Sequence, residues 1–233
     1  AARTDVLHDI EQDDSVRSLV LRGAGDHFMA GGDVKGMADA FSQTPEEIRK
    51  QFVLRIHDLH PIMFAMRRMP KPIIAQVAGA AAGAGVSVAL SCDLVVAADT
   101  SFFTLAYCNI GTSPDGSSTY QIPRTLGIKR AMEMTLLGDR IDAKKALDWG
   151  LVNFVVPAAQ LEAETMKLAE RLANGPTFVY GQAKKLLYNS IHRDFEAQLQ
   201  AEGEAFAACA AREDFKEGVM AFVQKRKANF TGK

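Results

Sequence analysis

From Ala78 to Gly85 this chain carries no side chain larger than a methyl group. The run follows an apolar stretch, Ile73 to Val77, that reads as a strand. A second small-residue run, Ala30-Gly31-Gly32, lies upstream between Met29 and Asp33. Backbone without bulky side chains admits a second backbone, or a ligand, at close range. The downstream run also opens into an expected helix, Ala84 to Leu90. The first N–H groups of a helix have no intrahelical acceptor and stand at the positive end of its dipole. Two such turns facing one another supply two N–H donors to a single oxygen, the arrangement that acyl and enolate chemistry requires. Either run alone is equally well explained by close packing of a helix on a sheet; the pair points to chemistry.

The surrounding pattern alternates strands with helices. Val16 to Leu21 reads as a buried strand stopped by Gly23 and Gly25. Thr44 as N-cap, Pro45 at the first helical position and Glu47 at the capping-box position open a helix. Ile48, Phe52, Ile56, Leu59, Met63 and Met66 continue it at helical spacing until Pro70. Leu94 to Ala97, Phe102-Phe103 and Phe154-Val155-Val156 read as further strands, so the fold class is α/β with crossover connections. After Pro157 the chain reads as helices only: Leu161 to Ala173, Phe178 to Tyr188, Phe195 to Cys209 and Phe215 to Ala228. Apolar faces on that scale need something to cover.

Composition narrows the function classes. The 233 residues, 48% of them hydrophobic, suffice for one domain with a substantial core. Lys and Arg number 27 against 28 Asp and Glu, a balance that does not suggest a nucleic-acid surface. No apolar run reaches membrane-spanning length and no secretory signal is visible. Cys92, Cys108 and Cys209 lack paired spacing and read as small buried hydrophobes in a reduced compartment. The motifs for a metal or dinucleotide site are missing.

Several ordered phrases carry a resemblance. His27-Phe28-Met29-Ala30-Gly31-Gly32-Asp33-Val34 resembles the F-x-A-G-x-D signature of the crotonase, or enoyl-CoA hydratase/isomerase, superfamily. Lys71 to Gly79, Ser91 to Ala97, Ala146 to Val152 and Ala221 to Lys227 look like its later blocks, in order, over nearly the whole chain. The resemblance implies a crotonase-like ββα spiral core over residues 1–157 and a C-terminal helical trimerisation region over 158–233. It also implies a homotrimer or a dimer of trimers, and the expected setting is cytoplasmic or organellar. Relatives usually carry a further N-terminal strand with an L-N-R-P-like phrase that is absent before Ala1, so a targeting segment is invisible here.

By the same resemblance the two oxyanion donors are the backbone N–H groups of Gly32 and Ala84, and the substrate is a coenzyme A thioester with no cofactor besides. Ala30 and Gly32 match the strand edge that contacts adenine and pantetheine. Phe222 and Lys225 match a last-helix aromatic and lysine that can reach a neighbouring subunit's CoA; a solvated lysine is an equally good account. Hydratases of the family use two glutamates, and the matching positions hold Ser87 and Tyr107. Adding water across a double bond needs acid/base groups that these two do not offer.

Asp115, in Gly111-Thr112-Ser113-Pro114-Asp115-Gly116-Ser117-Ser118, is the remaining carboxylate. Pro-Asp-Gly is itself a favourable turn sequence, but some crotonase-fold isomerases place their single acid/base there. One carboxylate suffices to move a double bond, so the leading expectation is a Δ3-Δ2-enoyl-CoA isomerase. His60 and Tyr107 match a histidine and an aromatic residue of 4-chlorobenzoyl-CoA dehalogenase, in which the aspartate is a nucleophile. A dehalogenase-like activity with Asp115 as nucleophile and His60 as base is the alternative; a histidine on an amphipathic helix is more often an interface residue. A CoA-binding scaffold that lost its chemistry is the third reading. Asp33, Asp93 and Asp99 are expected to organise loops, and Met63, Met66 and Met69 to fill the core.

Overall fold

The computed structural model describes residues 2–233, and of Ala2, Arg3 and Thr4 the backbone alone. Among the described residues the strands are β1 (Leu19–Arg22), β2 (Ile73–Val77), β3 (Ala80–Ala82), β4 (Leu94–Ala98), β5 (Phe102–Thr104), β6 (Ile141–Asp142) and β7 (Phe154–Val156). They form one parallel sheet in the order β1-β2-β4-β7 and a smaller one in the order β3-β5-β6, in which β3 and β5 are parallel and β6 is antiparallel. The helices are α1 (Ala2–Gln12), α2 (Val34–Met37), α3 (Pro45–His57), α4 (His60–Arg68), α5 (Ala84–Ser91) and α6 (Ser118–Leu126). They continue as α7 (Ile128–Leu137), α8 (Ala143–Trp149), α9 (Leu161–Ala173), α10 (Thr177–Ser190), α11 (Phe195–Ala210) and α12 (Glu213–Val223).

One unit repeats along the chain. A strand of the large sheet leads to a strand of the small sheet and then to a helix. β2 runs through β3 to α5, and β4 runs through β5 and the 3-10 turn Tyr107–Ile110 to α6. In the first repeat the middle strand is reduced to Met29, which bridges Ala81 in parallel before the chain enters α2. This is the expected ββα spiral with helices following it. β2 is buried along its whole length, as a parallel strand covered on both faces must be. Ile73, Ala75 and Val77 face a core containing Phe103, Met69 and Ile122, while Ile74 faces Val96, Leu161 and Ala169.

Asp93 joins the sheet to the C-terminal helices. Its Oδ2 accepts the Ile73 N–H at 2.7 Å and pairs with Lys184 of α10 at 2.7 Å, while its Oδ1 accepts from the Tyr188 hydroxyl at 3.3 Å. Burial nevertheless raises the Asp93 carboxyl above its ordinary range, because desolvation outweighs the attraction to Lys184. Asp33 acts locally, accepting the Gly36 N–H at 2.9 Å, whereas Asp99 ties its loop to the one after β7 by accepting the Ala158 N–H at 3.0 Å. Met63, Met66 and Met69 are buried, as expected.

Several expectations need correction. The single helix from Thr44 to Pro70 is two helices, although the capping box at its start is present. Pro61 is the cause: it has no N–H for the His57 carbonyl and its ring would strike the preceding turn. The chain therefore breaks at Asp58-Leu59 and restarts with Pro61 in the first turn, where proline is tolerated. The last helix stops at Val223 and not near Ala228. Lys225 takes a left-handed φ of 54°, and the N–H groups of Lys225 and Arg226 turn back onto the carbonyls of Phe222 and Ala221 at 3.1 and 3.0 Å. That is a Schellman ending with lysine where glycine usually stands. Of the cysteines only Cys92 is buried; Cys108 is exposed and Cys209 half-buried.

Candidate active site

The two small-residue turns lie side by side because their strands pair. The Met29 N–H donates to the Ala80 carbonyl at 3.1 Å and the Ala82 N–H returns to the Met29 carbonyl at 2.9 Å. Tiny side chains make this approach possible: a Cβ on Gly85 would collide with the Met29 carbonyl oxygen. Two residues beyond the parallel Met29–Ala81 bridge, Gly31 stands beside Gly83, each the residue just before a candidate donor. A Cβ built on Gly83 would stand 3.8 Å from the Gly31 Cα, in keeping with that register. Gly83 itself has φ 53° and ψ −122°, which glycine adopts at little cost, and it caps α5. Among the described residues neither the Gly32 N–H nor the Ala84 N–H donates to a protein acceptor. Ala84 opens α5, so its N–H also lies at the positive end of that helix.

Asp115 reaches this place through Tyr107. The Tyr107 hydroxyl donates to Asp115 Oδ1 at 2.6 Å, and a Cβ on Gly83 would lie 3.7 Å from that same hydroxyl. Burial, followed by the hydrogen bond to Asp115, pushes the Tyr107 phenol well above its ordinary range. The phenol thus stays a donor at any physiological pH. The turn forms later than Pro-Asp-Gly suggests, over Asp115 to Ser118 with Gly116 and Ser117 at its centre, and backbone closes it: the Asp115 carbonyl accepts the Ser118 N–H at 3.2 Å. The side chain is not spent on the turn and goes to Tyr107. Ala106 (φ 48°) and Ser117 (φ 79°) hold left-handed conformations on the near flanks of Tyr107 and Asp115. Such backbone costs on the order of 1–3 kcal/mol per residue and persists where the surroundings enforce it.

Ser87 is fully buried, and its Oγ donates to the Asp115 carbonyl at 3.0 Å. The position that holds a glutamate in hydratases here supports the backbone of a different carboxylate. Gln121 had no place in the sequence reading, yet its Nε2 donates to the Oγ of Ser117 at 2.6 Å and of Ser91 at 3.1 Å. The only local signal is the i, i+4 spacing of Ser117 and Gln121, which many exposed helices share. His60 begins α4, with its ring 5.2 Å from His57 and 6.2 Å from Phe64, centroid to centroid. It makes no hydrogen bond to Asp115 or Tyr107, although its neighbour Leu59 packs on Gly116. Ala30 and Gly32 are exposed beside the turn, and Phe222, 85% exposed, stands with Lys225 at the end of α12. Thus the fold brings Tyr107 and Asp115 to the Gly83 turn that precedes Ala84, with Gly31, the neighbour of Gly32, beside it, and leaves Phe222 and Lys225 on an outer surface.

Known proteins share this framework. The family model described as enoyl-CoA hydratase/isomerase matches residues 2–233. The chain is 36% identical over 234 residues to the 1,2-epoxyphenylacetyl-CoA isomerase of Escherichia coli, covering 100% of this chain and 88% of that protein. It is 34% identical over 224 residues to the trans-2-decenoyl-(acyl-carrier-protein) isomerase of Streptococcus mutans, covering 96% and 84%. A 4-chlorobenzoyl coenzyme A dehalogenase of an Arthrobacter species is 32% identical over 221 residues, covering 95% and 79%. The crystal structure of an enoyl-CoA hydratase from a Polaromonas species superposes with a TM-score of 0.91 at 34% identity, covering 98% of this chain and 88% of that one.

Proposed function

The chain belongs to the enoyl-CoA hydratase/isomerase family, and from that premise we propose that it is a Δ3-Δ2-enoyl-CoA isomerase. The Gly32 and Ala84 N–H groups hold the thioester oxygen, so that loss of a C2 proton gives an enolate that both donors stabilise. Removing one such donor typically costs about 2.7–4 kcal/mol of transition-state stabilisation. Asp115 Oδ2 takes the C2 proton and returns it at C4; the pair of the broken C2–H bond passes through the enolate into the new C2–C3 double bond, while the pair of the old C3–C4 double bond forms the C4–H bond. The net change is a proton shift and needs no cofactor beyond the thioester itself. Tyr107 occupies Oδ1, leaving one carboxylate oxygen for the proton.

The observation that carries this reading is the 2.6 Å bond from Tyr107 to Asp115. It supports a single carboxylate working near the Gly83–Ala84 turn, since the same Tyr107 hydroxyl lies by Gly83, with Ser87 and Tyr107 in place of the hydratase glutamates. Ala30 and Gly32 line the CoA side. Phe222 and Lys225 reach the CoA of a neighbouring copy, and the exposed apolar faces of α11 and α12 are covered by other copies in a homotrimer or a dimer of trimers.

Conversion of a 3-enoyl-CoA to its conjugated 2-enoyl isomer, followed by ultraviolet absorbance, tests the reading. Asp115→Asn should lower kcat by about 10²–10⁴-fold, the usual contribution of a positioned acid/base, with thermal stability preserved. Turnover that survives this substitution would move the base elsewhere. The packing of Leu59 on Gly116 brings the start of α4 to the Asp115 turn, which favours a second, dehalogenase-like reading with His60 as base. That reading requires a covalent ester on Asp115 to accumulate in His60→Ala given a 4-halobenzoyl-CoA. CoA-ester binding without turnover of either substrate would leave the scaffold reading.

A further inference from the structure

Ser117 stands at the N-cap of α6, where a serine hydroxyl ordinarily accepts a backbone N–H from the first turn. Here it makes no such bond. Its Oγ accepts the Gln121 amide at 2.6 Å, while the Ser117 carbonyl accepts the Tyr120 and Gln121 N–H groups at 3.0 Å each. The same Gln121 amide reaches across to α5, donating to the Ser91 hydroxyl at 3.1 Å and, more weakly, to the Ser87 carbonyl at 3.4 Å. Ser91 in turn donates to the Ser87 carbonyl at 2.8 Å, and Ser87 donates to the Asp115 carbonyl at 3.0 Å. One amide therefore connects both ends of a closed loop: Ser117 on the far side of Asp115, and the α5 serines that hold Asp115 from below.

Gln121 and its partners Ser117 and Ser91 border a cavity of about 300 Å³, shared with Met63, Phe64 and Tyr120. Close packing does not fix the amide there, so its hold on Ser117 and α5 depends on hydrogen bonds. Such a hold favours Ser117's left-handed φ of 79°, a conformation that carries a steric cost for a serine. If Ser117 relaxed, the peptide planes on either side of Gly116 would rotate and carry Asp115 away from Tyr107.

We propose that Gln121 is a positioning residue for Asp115: its amide clamps Ser117 to α5 and so keeps the carboxylate in register with Tyr107 and the Gly32–Ala84 donors. The proposal rests on Asp115 as the acid/base. Gln121→Met keeps the length and shape of the side chain and removes the amide. Its kcat on a 3-enoyl-CoA should fall by about 10-fold to 100-fold, as misplacement of a catalytic group does, with KM and melting temperature nearly unchanged. Ser117→Ala should give a similar loss, and the double variant should lose little more than either single one, because both remove the same clamp. Amide exchange by mass spectrometry should rise in the segment from Thr112 to Ser118 and stay constant in α10.

Wild-type kcat in Gln121→Met, or losses that multiply in the double variant, would overturn the clamp. If Gln121→Met fails to fold, Ser117→Ala carries the same test, since it removes a single hydroxyl. Should the wild-type protein not turn over 3-enoyl-CoA at all, the isomerase reading fails by itself. The exchange comparison then still decides the clamp, with unchanged exchange at Thr112 to Ser118 overturning it.

Discussion

β2 and α11 use apolar residues in opposite ways. Every residue of β2 is buried, including Gln76, and the two N–H-bearing turns hang from the frame it centres. In α11, sixteen residues long, Ala205 is the single buried residue, while Phe195 and Phe206 are 73% and 67% exposed. The sheet region closes its own core and brings Asp115 and Tyr107 to the turn that precedes Ala84. The last two helices offer a surface that a single chain does not cover. The candidate site is therefore built from one chain, whereas α11 and α12, the latter bearing Phe222, leave large apolar side chains exposed, as interaction surfaces do.

The sharpest way to break this contrast is at its seam. Asp93 carries the Ile73 N–H on one side and Lys184 and Tyr188 on the other. Asp93→Ala should destabilise the fold by about 3–5 kcal/mol, because it leaves Lys184 buried without its partner. Chemical denaturation should show this as one lower midpoint. A loss below about 1 kcal/mol would mean that the two regions are held together elsewhere. Phe206→Ser tests the exposed side. It should reduce the sedimenting species towards a monomer while changing the chain's own stability by about 1 kcal/mol or less, since mainly the edge contact to Phe215 is lost. An unchanged oligomer would remove Phe206 from the assembly surface.

Lys225 sharpens the comparison from the functional side. A left-handed lysine costs on the order of 1–2 kcal/mol relative to an unstrained residue, and glycine would relieve it. Lys225→Gly should therefore raise the melting temperature slightly while weakening CoA-ester binding severalfold by calorimetry. Greater stability with unchanged binding would leave the strain without a functional reason.

How much of this was legible beforehand follows the same divide. β2 and α9 begin and end where the sequence reading puts them, because a short apolar strand between Pro72 and Ala78-Gly79, and an amphipathic helix between Pro157 and Asn174-Gly175, are clearly punctuated. β3 was not legible: Ala80-Ala81-Ala82 has no branched or aromatic side chain, and its extended form is imposed by Met29 and Phe102 on its flanks. α6 was hidden by Pro123 within it and by the left-handed Gly116 and Ser117 before it. The choice of Gly32, Ala84, Tyr107 and Asp115 as candidates came from phrases and resemblance. Their meeting depends on the left-handed Ala106, which no residue type announces, and on serines whose partners lie far along the chain.

The smallest effect concerns the end of α12, where Glu217 binds Arg226 through both oxygens, at 2.6 and 2.8 Å, and accepts the Asn229 N–H at 2.8 Å. Arg226 and that N–H hold the Glu217 carboxyl at about 2, against its ordinary 4.5. A carboxyl whose folded pKa is depressed contributes its stabilisation above the unfolded value and loses it as pH falls towards the folded one. The contribution is thus complete above pH 4.5 and declines between 4.5 and about 2. Because the pair is exposed and screened by solvent and salt, the gain is slight. Acid titration of Glu217→Gln should show a shallower loss of stability across that window than the wild type, and the gap should narrow in high salt. Parallel curves would mean that the tail from Arg226 to Asn229 is held by its other contacts, and that the outer end of α12 is no less self-sufficient than the sheet.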